Sequence, residues 1–399
     1  MRVLRLSDMA LSDIAFVNAR LIDAKRDFAG SIEVRGGKIQ KVARGAMPAD
    51  GLKIVDLNGL ALMPGFIDLH AHLRIPGQSH KEDFGHGLAA ALIGGFTTVC
   101  GMANTAPAVD TAQAVAKNNK DANSLNLAGY IQISAIGQSL ADRVLVDTKE
   151  IGKHTPLFSN DGINIDSSAF LKEALARSRE EGFLILFHCE PESESIAKHL
   201  QELSECGGRM HFCHISRAQS LEIIQKAKNE GLNVTCETAP HYLYASENSY
   251  AVNPPIGTHA DRLAVIGAAR SGLIDAIATD HAPHTEEDKA NGMNGISSFD
   301  YAFSLANTVF EENSISKSRL SEMLSACPAK LIGLNKGLLE PGMDADFSIV
   351  DFSAEYQINT NDFYSKSKNT PFAGEHVKGR TEMSIIGGNI RHERNRQAL

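Results

Sequence analysis

No cysteine of this chain stands in a CxxC pair: the six, Cys100, Cys189, Cys206, Cys213, Cys236 and Cys327, are scattered over more than two hundred residues. That spacing argues against a disulfide framework and against a thiolate zinc knuckle. Long apolar runs are missing too, and none approaches the roughly 20 residues that cross a bilayer. The opening Met1-Arg2-Val3-Leu4-Arg5-Leu6-Ser7-Asp8 reaches an acidic residue before any core of signal-peptide length. The expectation is a cytoplasmic protein with no membrane contact. Nor is there a basic cluster: Lys and Arg are spread, the net charge is −9 without a long acidic run, and no nucleic-acid footprint results. What is present is ordinary for a folded protein, with 43% hydrophobic and 22% charged residues, so extensive disorder is not expected.

At 399 residues the chain suits a barrel of about 250 residues with further segments attached. Residues 13 to 64 read as short strands with turn signals: Ile14–Val17, Ser31–Val34 before Gly36-Gly37, and Ile54–Leu57 before Asn58-Gly59. They predict a small antiparallel unit. From Pro64 the pattern becomes apolar strands alternating with helical stretches, the mark of parallel βα repeats. Eight strands are expected, at 65–69, 97–102, 126–134, 155–159, 183–187, 209–213, 233–237 and 275–279. Helices are expected between them, such as Ser168–Glu181, with Leu171, Ala174 and Leu175 at helical spacing, and Arg217–Glu230 closed by Gly231. After a helical stretch around 319–334 the text returns to strands at Ala345–Asp351 and Ser384–Ile390. The fold class is therefore α/β: a (β/α)8 TIM-like barrel over 64–338, with a small β-sandwich built from both chain ends, 1–63 and 339–399.

Six potential metal ligands follow the strand order. His70 and His72 lie at or just past the end of strand one, Asp161 past strand four, His188 past strand five, His214 past strand six and Asp280 past strand eight. In barrels of this kind the chemistry sits at the C-terminal strand ends, where the loops vary over a packed interior. His70 and His72 are two apart, so on an extended chain both imidazoles leave one face. A nitrogen and oxygen donor set without thiolate suits zinc, two ions per chain, with manganese, cobalt or iron as other occupants. Asp161 has two oxygens and can bridge. A hydroxide between two ions is a competent nucleophile at neutral pH, and Asp280 is placed to take its proton and return it to a leaving nitrogen.

The surrounding words extend the signal: Pro64-Gly65-Phe66-Ile67-Asp68-Leu69-His70-Ala71-His72-Leu73-Arg74, Pro76 to Asp83, Gly94 to Val99, Met102 to Thr105, His188-Cys189-Glu190, Cys213 to Ser216, Ala239 to Leu243, Asn253-Pro254-Pro255, Ala278 to His284 and Asn369 to Gly374. In content and order they closely resemble the dihydroorotases of the amidohydrolase superfamily, over nearly the whole chain. The resemblance implies interconversion of N-carbamoyl-L-aspartate and L-dihydroorotate, the ring-forming step of pyrimidine synthesis. It also implies Arg74, Asn104 and His284 as binders of the small-molecule substrate's free carboxylate, and Asn253 as the group that holds the ring amide. Arg74, two residues beyond His72, independently offers the planar bidentate donor that a carboxylate asks for. A homodimer and an aspartate transcarbamoylase partner are the associations the resemblance brings with it.

The sequence departs from its relatives in places. Many of them bridge their metals with a carboxylated lysine, one branch with an Asp in an Asp-Asp-Gly word. Here the word is Ser159-Asn160-Asp161-Gly162, which leaves the role to Asp161. Ile256-Gly257 stands where relatives often have Leu-Arg, and Ala103 where Pro is common. Hydantoinases, dihydropyrimidinases and allantoinases share the barrel and cleave similar cyclic amides, so another such ring is the alternative substrate. A non-catalytic scaffold for a transcarbamoylase is a further alternative.

Overall fold

The computed structural model describes residues 13–47 and 51–394; Met1–Asp8, read above for a leader, lies outside the described residues. The first strands are β1 (Ile14–Asp23), β2 (Arg26–Arg35), β3 (Lys38–Arg44), β4 (Lys53–Asp56) and β5 (Ala61–Pro64). β1, β2 and β3 pair antiparallel as expected, but β4 and β5 both run parallel to β1, which corrects the purely antiparallel unit read from the sequence. The cause is a bulge between Phe16 and Ala19 with Asn18 at φ 53°. A bulge bends its strand, so β4 pairs the first half of β1 and, after the Asn58-Gly59 turn, β5 pairs the second half.

The barrel strands follow as β6 (Phe66–Ala71), β7 (Phe96–Gly101), β8 (Gly129–Gln132), β9 (Leu157–Ser159), β10 (Leu184–Phe187), β11 (Met210–Phe212), β12 (Val234–Thr238) and β13 (Ala276–Ile277). They pair in parallel as β6-β7-β8 and β9 to β13. The two arcs meet at the parallel bridges Ser134–Phe158 and Ala71–His281, and His72 N–H donates to the His281 carbonyl at 2.8 Å. Eight parallel strands thus close into a barrel. Every expected strand position overlaps an observed one. The helix Ser168–Glu181 appears as read, capped by Ser167 and followed by left-handed Gly182. The next expected helix spans Ala218–Asn229, with Gly231 at φ 82° just beyond it.

The last strands, β14 (Phe347–Gln357), β15 (His376–Ile386) and β16 (Asn389–Glu393), join the first ones through an antiparallel β14–β5 pairing. All eight lie in one sheet, ordered β16-β15-β14-β5-β1-β2-β3, with β4 also on β1. The sheet curls until Ile39 N–H meets the Met343 carbonyl at 2.9 Å. Its two layers enclose their own core of Phe16, Leu21, Ile32, Leu62, Phe347 and Ile349. This is the sandwich expected from both chain ends, since neither end could bury its sheet face alone. Barrel and sandwich share a close seam. A Cβ on Gly95 (φ 92°) would lie 2.7 Å from the Phe66 ring and 2.8 Å from Thr381 Oγ1, so the seam closes only on glycine. No helix among the described residues is long and apolar enough to cross a membrane.

Candidate metal centre

Side chains alternate along a strand, and two barrel strands show what that does here. Leu184 and Leu186 on β10, and Ala276 and Ala278 along β13, belong to one buried cluster. Two residues further on the same parity stand His188 and Asp280. The chain runs apolar until the interior is filled and then turns polar at the mouth. The backbone is strained there: Arg74, His214 and Asp280 take φ of 60°, 38° and 45°, a region costing an L-residue roughly 1–2 kcal/mol. Strain of this kind persists where surrounding structure over-determines it, commonly at functional sites.

All six residues expected as ligands are brought together and buried. His70 Nε2 lies 3.4 Å from Asp161 Oδ1 and 3.6 Å from Asp280 Oδ1. His72 Nε2 lies 3.5 Å from Asp161 Oδ2 and 3.4 Å from Asp280 Oδ1. On the other side of Asp161, His188 Nδ1 and His214 Nε2 each lie 3.9 Å from Oδ1, and 3.0 Å from each other. Asp161 is central, with four imidazoles around one carboxylate. Asn160 faces away: its Oδ1 accepts from the Ile136 and Gly137 N–H groups and its Nδ2 donates to the Leu140 carbonyl. Between the two neighbours only Asp161 meets the histidines.

The donor set fits a divalent cation. His70, His72 and Asp280 form one triad whose ligand atoms lie within 4.8 Å of one another, and His70, Asp161 and His214 form another. Within the cluster His70 Nε2, Asp161 Oδ1 and His214 Nδ1 are buried and have no hydrogen-bond partner. Buried polar atoms are almost always paired, so two unpaired atoms facing each other, His70 Nε2 and Asp161 Oδ1 at 3.4 Å, are what a candidate cation site would leave when drawn without its ion. Electrostatics agree. Burial opposes charge on Asp161, but His70, His214 and His72 outweigh it and hold the carboxyl well below its ordinary range. Asp280 is likewise held low against burial by His72, His70 and His214.

The four residues expected to bind substrate divide. Arg74 and His284 meet, with Nη2 3.0 Å from His284 Nε2, and Arg74 Nε donates to the Pro283 carbonyl at 3.2 Å. Burial lowers the Arg74 pKa to about 10, against Asp280 and Asp161, which support the charge. Asn253 Nδ2 stands 3.3 Å from His188 Nε2 and 2.8 Å from Glu190 Oε2. Asn104 is engaged with the ligands themselves: its Oδ1 is 2.9 Å from His72 Nδ1, and its Nδ2 donates to Asp161 Oδ2 at 2.9 Å and to the Asp161 carbonyl at 3.2 Å.

Sequence reading missed the layer behind the ligands. Glu237 Oε1 lies 3.2 Å from His70 Nδ1, while its Oε2 lies 3.1 Å from His211 Nε2. Burial would raise the Glu237 pKa, but His211 and His70 bring it down to about 2. A carboxylate behind a ligating histidine fixes its tautomer, leaving Nε2 free for a metal. Asp68 accepts from both Thr279 N–H and Thr279 Oγ1, tying strand one to strand eight beside His70. Both were findable: Asp68 precedes His70 by two residues on one face, and Glu237 closes a strand read as 233–237. Lys81 was also passed over, and its Nζ lies 3.4 Å from His284 Nδ1.

Comparison with known proteins places this geometry. Residues 61–391 match the model of the Amidohydrolase family. A protein named dihydroorotase from Clostridium botulinum is 35% identical over 398 residues, covering 96% of this chain and 100% of its own. A dihydroorotase from Pediococcus pentosaceus is 34% identical, covering 94% and 98%. Among solved structures, the L-hydantoinase (dihydropyrimidinase) from Arthrobacter aurescens superposes with a TM-score of 0.88 at 23% identity, covering 97% of this chain and 98% of its own; at that identity it speaks to the fold. A D-hydantoinase from Thermus sp. gives 0.83 at 20% identity, covering 96% and 97%. With matched residues running from the last strand before the barrel through the ligand cluster to β16, the chain belongs to the amidohydrolase family.

Proposed function

We propose that this chain is a dihydroorotase, interconverting N-carbamoyl-L-aspartate and L-dihydroorotate, and that its barrel mouth holds two divalent ions, zinc by the character of the donors. The observation that carries the reading is the Arg74–His284 pair beside the ligand cluster, a cationic grip next to a hydrolytic centre. His70, His72 and Asp280 would hold one ion, His188 and His214 the other, and Asp161 both. When bound, the ions lower the pKa of a water and polarise the ring carbonyl.

The side chains supply the rest. In the hydrolytic direction the water oxygen bonds to the ring carbonyl carbon and the ring C–N bond breaks. Asp280 accepts the water proton and passes it to the departing nitrogen. Arg74 and His284 hold the substrate carboxylate, Asn253 the ring amide. For Asn104 to join them, the carboxylate must take over a donor now given to Asp161. Synthesis reverses each step, with Asp280 receiving the proton from nitrogen.

The test is a panel of rings offered to the purified chain supplemented with zinc: L-dihydroorotate, 5,6-dihydrouracil, hydantoin and allantoin. The expected outcome is a preference of at least about 100-fold for the ring bearing a carboxylate, the scale of losing a buried charge-assisted contact. Equal turnover of the uncharged rings would contradict the reading and favour a hydantoinase-like activity.

A further inference from the structure

Lys81 lies in the Pro76–Asp83 word and is buried, 6% exposed. Its backbone is fixed, the N–H donating to the Gln78 carbonyl at 2.9 Å and the carbonyl accepting from Ser367 Oγ at 2.6 Å. Its Nζ lies 3.3 Å from Asp288 Oδ1 and 3.4 Å from His284 Nδ1. On the other ring nitrogen of His284 stands Arg74, at 3.0 Å. One imidazole is thus held between two cationic donors.

A neutral imidazole carries one N–H and one lone pair, so only one of the two cations can donate to it at a time. Burial, with the charges of Arg74 and Lys81, pushes the His284 pKa down to about 3, so the ring is neutral before substrate binds. With Arg74 donating to Nε2, the hydrogen sits on Nδ1, which faces Asp288 Oδ2 at 3.6 Å. A substrate carboxylate that takes Arg74's N–H groups would meet the Nε2 lone pair, which repels it. Moving the ring hydrogen to Nε2 converts that repulsion into a hydrogen bond and leaves the Nδ1 lone pair for Lys81.

We propose that Lys81 is a positioning residue that holds His284 in the Nε2–H tautomer when a carboxylate-bearing ring is bound, so that a neutral histidine donates to the substrate anion. The inference rests on the dihydroorotase reading and extends it to a residue that does not touch substrate. Lys81 therefore contributes to the choice of a ring with a carboxylate over one without.

The experiment compares wild type, Lys81→Met, Lys81→Arg and Asp288→Asn, all zinc-loaded. In Lys81→Met, KM for L-dihydroorotate should rise roughly 10- to 100-fold with a much smaller change in kcat, the scale of one charge-assisted hydrogen bond. Turnover of 5,6-dihydrouracil should be unchanged. Lys81→Arg should recover most of the loss. Asp288→Asn, which breaks the ion pair but leaves the lysine on the ring, should keep KM within about threefold. Nitrogen NMR of the histidines with bound L-dihydroorotate should show His284 as the Nε2–H form in wild type and not in Lys81→Met. Unchanged KM in Lys81→Met, or equal losses in Lys81→Met and Asp288→Asn, would overturn the proposal and leave Lys81 as a loop clip. A wild type indifferent to the ring carboxylate would overturn the underlying reading as well, so the two failures are distinguishable. Should Lys81→Met fail to fold, Lys81→Arg and the wild-type tautomer still decide.

Discussion

Two buried carboxylates, one in the sandwich and one in the barrel, are treated in opposite ways. Asp23 closes β1, is fully buried, and has both oxygens used: Oδ1 accepts from Lys25 N–H, while Oδ2 accepts from Leu339 N–H and pairs with Arg26 Nε at 3.0 Å. Asp161 closes the β9 side of the barrel mouth, and its Oδ1 has no hydrogen-bond partner although three imidazoles approach it. The first is a solved problem of packing, a charge taken out of water and repaid by donors. On the proposed reading the second is a charge held ready for a cation, and an unpaired buried oxygen is what would separate a functional acid from a structural one.

The sharpest way to break this contrast is to remove one carboxylate charge in each region. Asp161→Asn should weaken metal binding by more than the roughly 100-fold typical of losing an outer partner, read by chelator competition, with the fold intact by circular dichroism. Asp23→Asn should leave metal affinity unchanged and lower stability by about 1–3 kcal/mol in urea melts. If Asp161→Asn kept its metal, the unpaired oxygen would not mark a cation site.

A second substitution sharpens the barrel side. Glu237→Gln keeps size and removes charge behind His70. It should weaken metal binding by about 10- to 100-fold, visible in chelator competition and in the absorption of a cobalt-loaded chain. An unchanged affinity would make the His211–Glu237–His70 chain a packing feature only. On the sandwich side, Phe347→Ala should cost about 3–5 kcal/mol while metal affinity per folded chain stays constant; loss of both together would mean the sheet and the mouth act as one unit. Smallest is Ser167→Ala at the start of the Ser168–Glu181 helix, where the cap oxygen accepts from Phe170 N–H. It should cost about 1 kcal/mol in the same melts, with no effect on the metal.

Much of the molecule was legible because its signals are local. Strands such as 183–187 and 155–159 announce themselves by apolar runs between turns, and the strand-end rule then points to His188 and Asp161. Pairing is less local. That β4 and β5 share one edge of β1 depends on a bend at Asn18, and no window of sequence displays which neighbour a bent strand will accept. For the layer behind the ligands, strand position points to Asp68 and Glu237, but the pairing itself is not local either. Glu237 and His70 are 167 positions apart, and nothing in the word around Asn104, expected as a carboxylate binder, shows that its amide lies between His72 and Asp161. Lys81 lies within the Pro76–Asp83 segment, yet its contact with His284 spans 203 positions. Sequence order ranks the ligands; only the closed barrel shows what stands behind them.

The dihydroorotase reading is decided first by hydrolysis of L-dihydroorotate by the zinc-supplemented chain beside its Asp280→Asn variant. Wild type should turn the substrate over, and the variant should lose about 100- to 10,000-fold per metal-loaded chain, the range of one positioned acid–base group. Wild type that binds zinc yet leaves L-dihydroorotate intact, or a variant as active as wild type, would contradict that reading.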